Sequence, residues 1–460
     1  MKLPARLNNT PANAQVLKKL TLPPVAGCPI MAASIIKGAP QMSDGVQQRL
    51  HETRTEPTGS SIDYGLWALT FSYVLSQFFR SYIAVISTQL IGDFHFSPQM
   101  FGWFAGSFFL VFAIAQLPVG LMFDRYGVRG PTAFLMAIGA ACAGVLSITT
   151  SATVALVAQA GIGLGCAPVF MGLLNHVLRS GHGTRNVRAV TTASAIGMAG
   201  ALLAAFPLSR ATASFGWRPV MVTAALAMLC ATLGVVGFVQ RRDAVEHERS
   251  LAASQHSAGA VRRYTGFWTL MPACLALSVG STFRTSWGGP YLADVYGFDV
   301  IARGNAMTVT SVIGIAASFG IPLAVRFCAP KLISLLWLIG GVLAALVLAL
   351  VPDGNWVLSV ALICVLFSVG SIHPLVMSQA RAIVAPRRLG LGLGLLNSLV
   401  FLGVALTSSC FGWIAGAAKR AHLSDAGIYS ALFAVTVVPL AIGAIVYFFS
   451  PVVAAPKEEA

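Results

Sequence analysis

The sequence predicts an all-α membrane protein of twelve transmembrane helices in two six-helix, pseudo-symmetric halves. Three observations carry this. Hydrophobic residues make up 56% of the chain and charged ones only 10%, whereas a soluble domain carries about 25% charged residues. Continuous apolar runs of roughly 20 residues recur from residue 64 onward, long enough for a helix to cross a bilayer and too long for a barrel strand. The basic residues, finally, concentrate on one side of the spans as the positive-inside rule requires.

Residues 1–63 show no sustained helical period and are interrupted by Pro4, Pro11, Pro23, Pro24, Pro29, Pro40 and Pro57. They read as a disordered cytoplasmic tail. Lys18-Lys19 and the short apolar piece ending at Cys28 faintly resemble a lipoprotein signal, but two prolines and too short an apolar core argue against one. Met31 and Met42 are alternative starts. Six spans are expected near 64–86, 101–122, 131–150, 152–175, 189–208 and 217–239, forming a first half, 64–239. A polar cytoplasmic linker, 240–264, follows. The second half, 265–450, holds spans near 265–291, 302–325, 332–351, 356–380, 389–414 and 426–450, and a tail, 451–460, ends the chain.

With the amino terminus inside, only Arg210, Arg218, Arg303, Lys419 and Arg420 of the 30 Lys and Arg residues fall outside. Arg80 and Arg284 lie within spans, and all the others fall inside. Both termini are therefore expected in the cytoplasm, in a multi-pass plasma (cell inner) membrane protein surrounded by the lipid bilayer. The net charge of +15 is then topology rather than a footprint for nucleic acid. Cys142, Cys166, Cys230, Cys274, Cys364 and Cys410 fall in apolar spans at no paired spacing and read as small buried hydrophobes.

Between the second and third spans the chain reads Gly120-Leu121-Met122-Phe123-Asp124-Arg125-Tyr126-Gly127-Val128-Arg129-Gly130. Glycines let two helices turn tightly and approach each other. A carboxylate such as Asp124 can meet the positive end of a neighbouring helix, with Arg125 and Arg129 bridging it. The pattern carried by Gly120, Asp124, Arg125, Gly127 and Arg129 resembles the diagnostic loop of the major facilitator superfamily (MFS), with Gly130 where that family has a further basic residue. Gly216-Trp217-Arg218 at the start of the sixth span agrees, and the likeness covers about residues 60 to 450. It implies the MFS fold, transport by alternating access, and a gating loop that latches the halves in the outward-open state. The counterpart from Gly320 to Lys331 has Ala324 in place of the aspartate, which implies a weaker latch.

Two further motifs of that family are missing. Val157-Ala158-Gln159-Ala160-Gly161 lacks the arginine that many proton-coupled members carry before the glycine. Gly197-Met198-Ala199-Gly200 lacks the Gly-Pro pair of drug–proton antiporters. No Asp or Glu falls inside an expected span, Asp63 standing at the lip of the first. Proton relays commonly use buried acids, so drug efflux by carboxylate-driven proton exchange is disfavoured.

What the spans do contain is arginine. Ser76-Gln77-Phe78-Phe79-Arg80-Ser81 in the first and Gly280-Ser281-Thr282-Phe283-Arg284-Thr285-Ser286 in the seventh each place one at membrane depth. Insertion scales charge each about 2.5–3.5 kcal/mol, and a guanidinium cannot escape by losing its proton. Snorkelling toward the headgroups is the structural alternative; the repetition in two equivalent spans favours one site built twice. At helical spacing Tyr73, Gln77 and Arg80 share a face, as do Ser281, Arg284, Trp287, Gly288 and Tyr291. The aromatic members read equally as packing. Two rigid forks suit a carboxylate or phosphate. The arrangement is similar to that of the organophosphate:phosphate antiporters, which use one arginine from each of these helices, although the flanking residues differ. His373, followed by Pro374, reads either as a proton-handling site residue or as a packing histidine beside a kink. His176 reads as a solvated helix end, and Gln116 and Asn397 as groups that hydrogen-bond either to substrate or, the favoured reading, between helices.

The expected function is therefore transport of a small organic anion, a carboxylate or phosphate ester, by exchange for a counter-anion or together with a proton. The rival is a carrier of a neutral or amphipathic compound with structural arginines. No His-Glu-x-x-His, Gly-x-Ser-x-Gly or metal-ligand cluster occurs, so neither an enzyme nor a cofactor is expected. A monomer is.

Overall fold

Every long apolar run becomes a helix, and no strand occurs among the described residues. The computed structural model describes residues 63–180, 184–240, 265–384 and 389–451; the expected tails and linker fall almost wholly outside them. The first half comprises α1 (Tyr64–Ser81, continuing as Ile83–Phe94), α2 (Pro98–Tyr126), α3 (Arg129–Ile148), α4 (Ala152–Ser180), α5 (Thr184–Leu203 and Phe206–Phe215) and α6 (Trp217–Phe238). In the second, α7 runs as Thr265–Trp268, Leu270–Thr282, a π turn Phe283–Trp287, and Gly288–Tyr296. It is followed by α8 (Val300–Ala324), α9 (Pro330–Leu350), α10 (Trp356–Ser368, a 3-10 turn Val369–Ile372, and His373–Ile383), α11 (Leu389–Arg420) and α12 (Asp425–Phe448).

Eleven of these are long and apolar enough to cross a membrane by length and composition. The exception is α1, because Gln77 and Arg80 make its first piece polar and its second is short. The two pieces are nonetheless one span: Tyr82 keeps right-handed helical angles, and its N–H donates to Phe78 O at 3.1 Å.

Polar caps set where four of the helices start, each after a short loop whose end must satisfy orphan N–H groups. Ser97, Asp299, Asn355 and Ser424 accept from the first turns of α2, α8, α10 and α12. Several helices outrun their apolar cores. α1 extends to Phe94 rather than 86, stopping at His95 in the left-handed region (φ 49°), and α5 reaches Phe215 before Gly216 (φ 78°). Exposed Leu332, Leu336, Ile339, Leu343, Leu346 and Leu350 form a stripe along α9 at helical spacing, the face such a helix turns to lipid.

Three sequence expectations need correction. Cys230 and Cys410 are exposed rather than buried. Arg303, expected on the outer side at the start of the eighth span, stands in the first turn of α8 but is buried, 3% exposed, with Nε donating to Asp299 O at 3.2 Å. His176 is not a solvated end: it is 11% exposed and its Nε2 lies 3.0 Å from Asp63, the N-cap of α1.

The halves meet closely at the end carrying the α1–α2, α5–α6, α7–α8 and α11–α12 connections. A Cβ on Gly289 of α7 would stand 1.6 Å from the Ala84 carbonyl oxygen of α1, so backbone touches backbone there. Ser408 of α11 donates to Gly102 O of α2 at 3.3 Å, and Phe206 N–H of α5 to Thr308 Oγ1 of α8 at 3.0 Å.

Candidate functional site

Three helix irregularities surround the middle of the bundle, and each frees a backbone or side-chain group there. In α5 the ladder slips at Ala204–Ala205: Ala205 N–H donates to Leu202 O (3.1 Å), which leaves Ala201 O outside the ladder. In α7 the π turn takes Gly288 N–H back to Phe283 O and inserts an extra residue around Arg284. Such single π turns occur often at functional sites. In α10 His373 N–H reaches Gly370 O and Pro374 has no N–H to give, so the helix restarts at His373.

Between these irregularities lies a cavity of about 310 Å³. Arg80 and Arg284 both line it, with Gln77 and Ser81 of α1, Ser281 and Thr285 of α7, Ser311 and Ser318 of α8, Ser371 and His373 of α10, and Asn397 of α11. No Asp or Glu among the described residues lines it. Neither arginine has an ion-pair partner among the described residues.

The arginines occupy equivalent positions in different company. Arg80 places its guanidinium carbon 4.5 Å from the ring centre of Phe112 on α2 and 5.0 Å from that of Phe401 on α11. Such contacts hold a cation by its face and leave its N–H edge unspent. Its Nε is buried and without a hydrogen bond. Arg284, 2% exposed, donates from Nη2 to Ser311 Oγ of α8 (2.7 Å) and to the freed Ala201 O of α5 (3.1 Å), with Phe367 5.5 Å away. Its Nε too has no partner. Each arginine is thus received by the second helix of its own half and the fifth helix of the other. The chemistry differs: rings hold one, oxygens the other.

The structure brings Arg80, Arg284, Gln77, Ser281 and His373 together and leaves three of the proposed binding residues outside the lining. Tyr73 is buried against Phe170 (ring centres 5.0 Å apart) and accepts a hydrogen bond from Gln77 Nε2 at 3.1 Å, so it holds Gln77 in place. Trp287 packs edge-on to Phe101 and Phe411 and donates from Nε1 to Ser408 Oγ (3.1 Å). Tyr291 donates to Pro352 O at 2.5 Å, within a cluster of Tyr296 and Tyr429. For Trp287 and Tyr291 the physical reason is the π turn. An inserted residue rotates everything after Phe283–Trp287, so the regular spacing that put Trp287 and Tyr291 beside Arg284 no longer applies. Trp287→Phe should therefore lower thermal stability by about 1 kcal/mol, one net hydrogen bond, and leave ligand affinity unchanged in a binding titration.

Sequence reasoning missed the cavity roles of Ser311 and Phe401, and favoured an interhelical role for Asn397, which lines the cavity. A signal existed for one wall: Ser311, Gly314 and Ser318 repeat at three and four residues, one polar face in an apolar helix. Gln116 is buried in α2 at 5% exposure and lies outside the lining. In the gating loop, Gly127 adopts φ 73° and its N–H donates to Phe123 O, closing α2 where a side chain would be strained. Asp124 and Arg125 are exposed and Arg129 half-buried.

A helical membrane protein whose two halves enclose a polar cavity at mid-depth has the architecture of a secondary transporter. The chain belongs to the Major Facilitator Superfamily, whose model matches residues 69–406. It is accordingly a transporter, not an enzyme. Solved structures agree on the fold. The bacterial homologue of the human lysosomal transporter Spinster, in an inward-facing and occupied conformation, is 18% identical with TM-score 0.66, over 85% of this chain and 97% of that one. The nucleoside transporter NupG is 12% identical with TM-score 0.66, over 85% and 100%. A D-xylose–proton symporter is 14% identical with TM-score 0.65, over 85% and 99%. Among curated proteins, none matches by sequence.

Proposed function

We propose that this transporter carries a small organic anion by alternating access, with Arg80 and Arg284 as its charge-recognising groups. One observation carries the reading: two guanidiniums line one cavity, and no carboxylate among the described residues neutralises either. A buried uncompensated charge is strongly unfavourable, and a bound carboxylate or phosphate would supply the missing partner with short, charge-assisted hydrogen bonds. A nucleoside or a pentose, the cargo by which NupG and the xylose symporter are known, would leave both charges unpaired here.

With the termini cytoplasmic, the close end, where Gly289 meets Ala84, is the outer side, and the conformation is one closed to the outside. The two boundaries, 64–239 and 265–450, then delimit the halves that rock about the cavity. Turnover proceeds by exchange for a second anion or with a proton, for which His373 is the candidate: its Nε2 is buried without a hydrogen bond. Asp124 acts in the latch of the opposite, outward-open state. Asp124→Ala is expected to slow transport about tenfold with the Kd for the anion changed less than twofold; equal kinetics would remove the loop from the cycle.

Counterflow in proteoliposomes tests the function. Liposomes preloaded with an unlabelled organic anion should accumulate the labelled one transiently, and those loaded with xylose or uridine should not. Accumulation of the neutral compounds, with none of the anions, would refute the anion reading.

A further inference from the structure

The cavity wall is divided, and the division specifies more than charge. On the α2–α11 side Phe109, Val400, Phe401 and Val404 form an apolar patch, with Asn397 of α11 the polar residue beside it. Facing it, α7, α8 and α10 present, between Leu277, Ile315 and Phe367, a set of hydroxyls whose single hydrogens are spent on their own backbones or on each other. Thr285 donates to Ser281 O (2.9 Å), Ser311 to Met307 O (2.6 Å) and Ser318 to Gly314 O (2.9 Å). Ser371 likewise donates to Gly314 O (3.3 Å). Such oxygens remain acceptors only. Donors left for a ligand are the guanidiniums, the amides of Gln77 and Asn397, His373 and the Ser81 hydroxyl beside Arg80.

We infer that the transported molecule is a monoanion with a flat apolar body, an aryl carboxylate, rather than a hydrophilic phosphate ester or dicarboxylate; this rests on the anion reading above. The carboxylate takes the N–H edges of Arg80 and Arg284, and the ring lies along the Phe109–Val404 wall. Hydroxyl groups of a sugar phosphate placed on that wall would lose water and gain no partner, a loss that specificity sites exploit. A second carboxylate at the far end of a dicarboxylate would meet the same apolar surface. Phe112 and Phe401, whose ring centres are 4.5 Å apart, lie together on one side of the Arg80 guanidinium, and its Nε has no hydrogen-bond partner.

The test is isothermal titration of the purified full-length protein with five probes: benzoate, benzamide, acetate, succinate and glycerol 3-phosphate. Benzoate should bind about thirtyfold tighter than acetate, the factor expected for burying one ring, and tighter than succinate and glycerol 3-phosphate, with benzamide silent. Phe109→Leu, which keeps the wall apolar but removes a ring that touches neither arginine, should weaken benzoate about threefold to fivefold and leave acetate unchanged. Should succinate or glycerol 3-phosphate equal or exceed benzoate, the apolar-body assignment fails while the anion reading stands. Benzamide binding as tightly as benzoate, or Arg80→Gln binding benzoate like the wild type, would overturn both together.

Discussion

Replacing either Arg80 or Arg284 by glutamine is expected to reduce anion uptake into proteoliposomes about a hundredfold or more, with protein yield and helical content unchanged. The magnitude follows from the chemistry of truncating one partner of a desolvated charge pair, which costs about 2–5 kcal/mol. Folding survives because neither arginine is matched by a carboxylate in the described residues, so its removal strands no opposite charge. The two variants should differ in kind. Arg80 is held only by ring faces, so its loss removes ligand binding and raises KM. Arg284 also ties α7 to Ala201 O across the two halves, so its loss should lower kcat as well. Lysine at either position should rescue poorly, because an ammonium is a point charge and not a fork. Uptake at wild-type rate in either glutamine variant would reduce that arginine to a structural role.

A second large effect is expected from Gly289→Val. Its Cβ would lie 1.6 Å from Ala84 O, a clash with backbone that no rotamer relieves. The contact joins the two halves, so separating them removes it. The variant should fold, abandon the conformation with this end shut, and transport about a hundredfold more slowly, the equivalent of ~3 kcal/mol of overpacking confined to one state. Ser87, fully buried beside Gly289, offers the readout. In a cysteine-free background, Ser87→Cys should react with an impermeant maleimide in the Gly289→Val protein and not without it. Gly200→Val provides the contrast. Its Cβ would stand 1.8 Å from Val74 O, between α5 and α1 of the same half, and no rocking motion separates them. That variant should fail to fold. Equal labelling of Ser87→Cys with and without the valine would contradict a state-specific contact.

Much of the fold was legible because lipid makes a coarse demand: long apolar runs, broken by polar loops, with basic residues on one side. Asn355 and Ser424 are ordinary capping residues at span starts, readable in advance. The two arginines were legible for a related reason, since a permanent charge in a greasy helix needs a purpose. What escaped was anything that depends on local irregularity. The π turn at Phe283–Trp287 has no sequence signature, and it moved Trp287 and Tyr291 from an expected binding face into packing. Phe401 and Phe109 look like every other phenylalanine in a membrane helix; only the crossing of α2 and α11 places them on the cavity. Pairing of His176 with Asp63 joins residues 113 positions apart, a distance no periodicity spans.

The most direct measurement is a double-mutant cycle for equilibrium binding of one labelled anion to the wild type, Arg80→Gln, Arg284→Gln and the double variant. If both guanidiniums grip the same anion, each single change should weaken binding about a hundredfold and the double change far less than the product of the two. Losses that simply multiply, or a single variant that binds as the wild type does, would mean the two charges do not share a ligand.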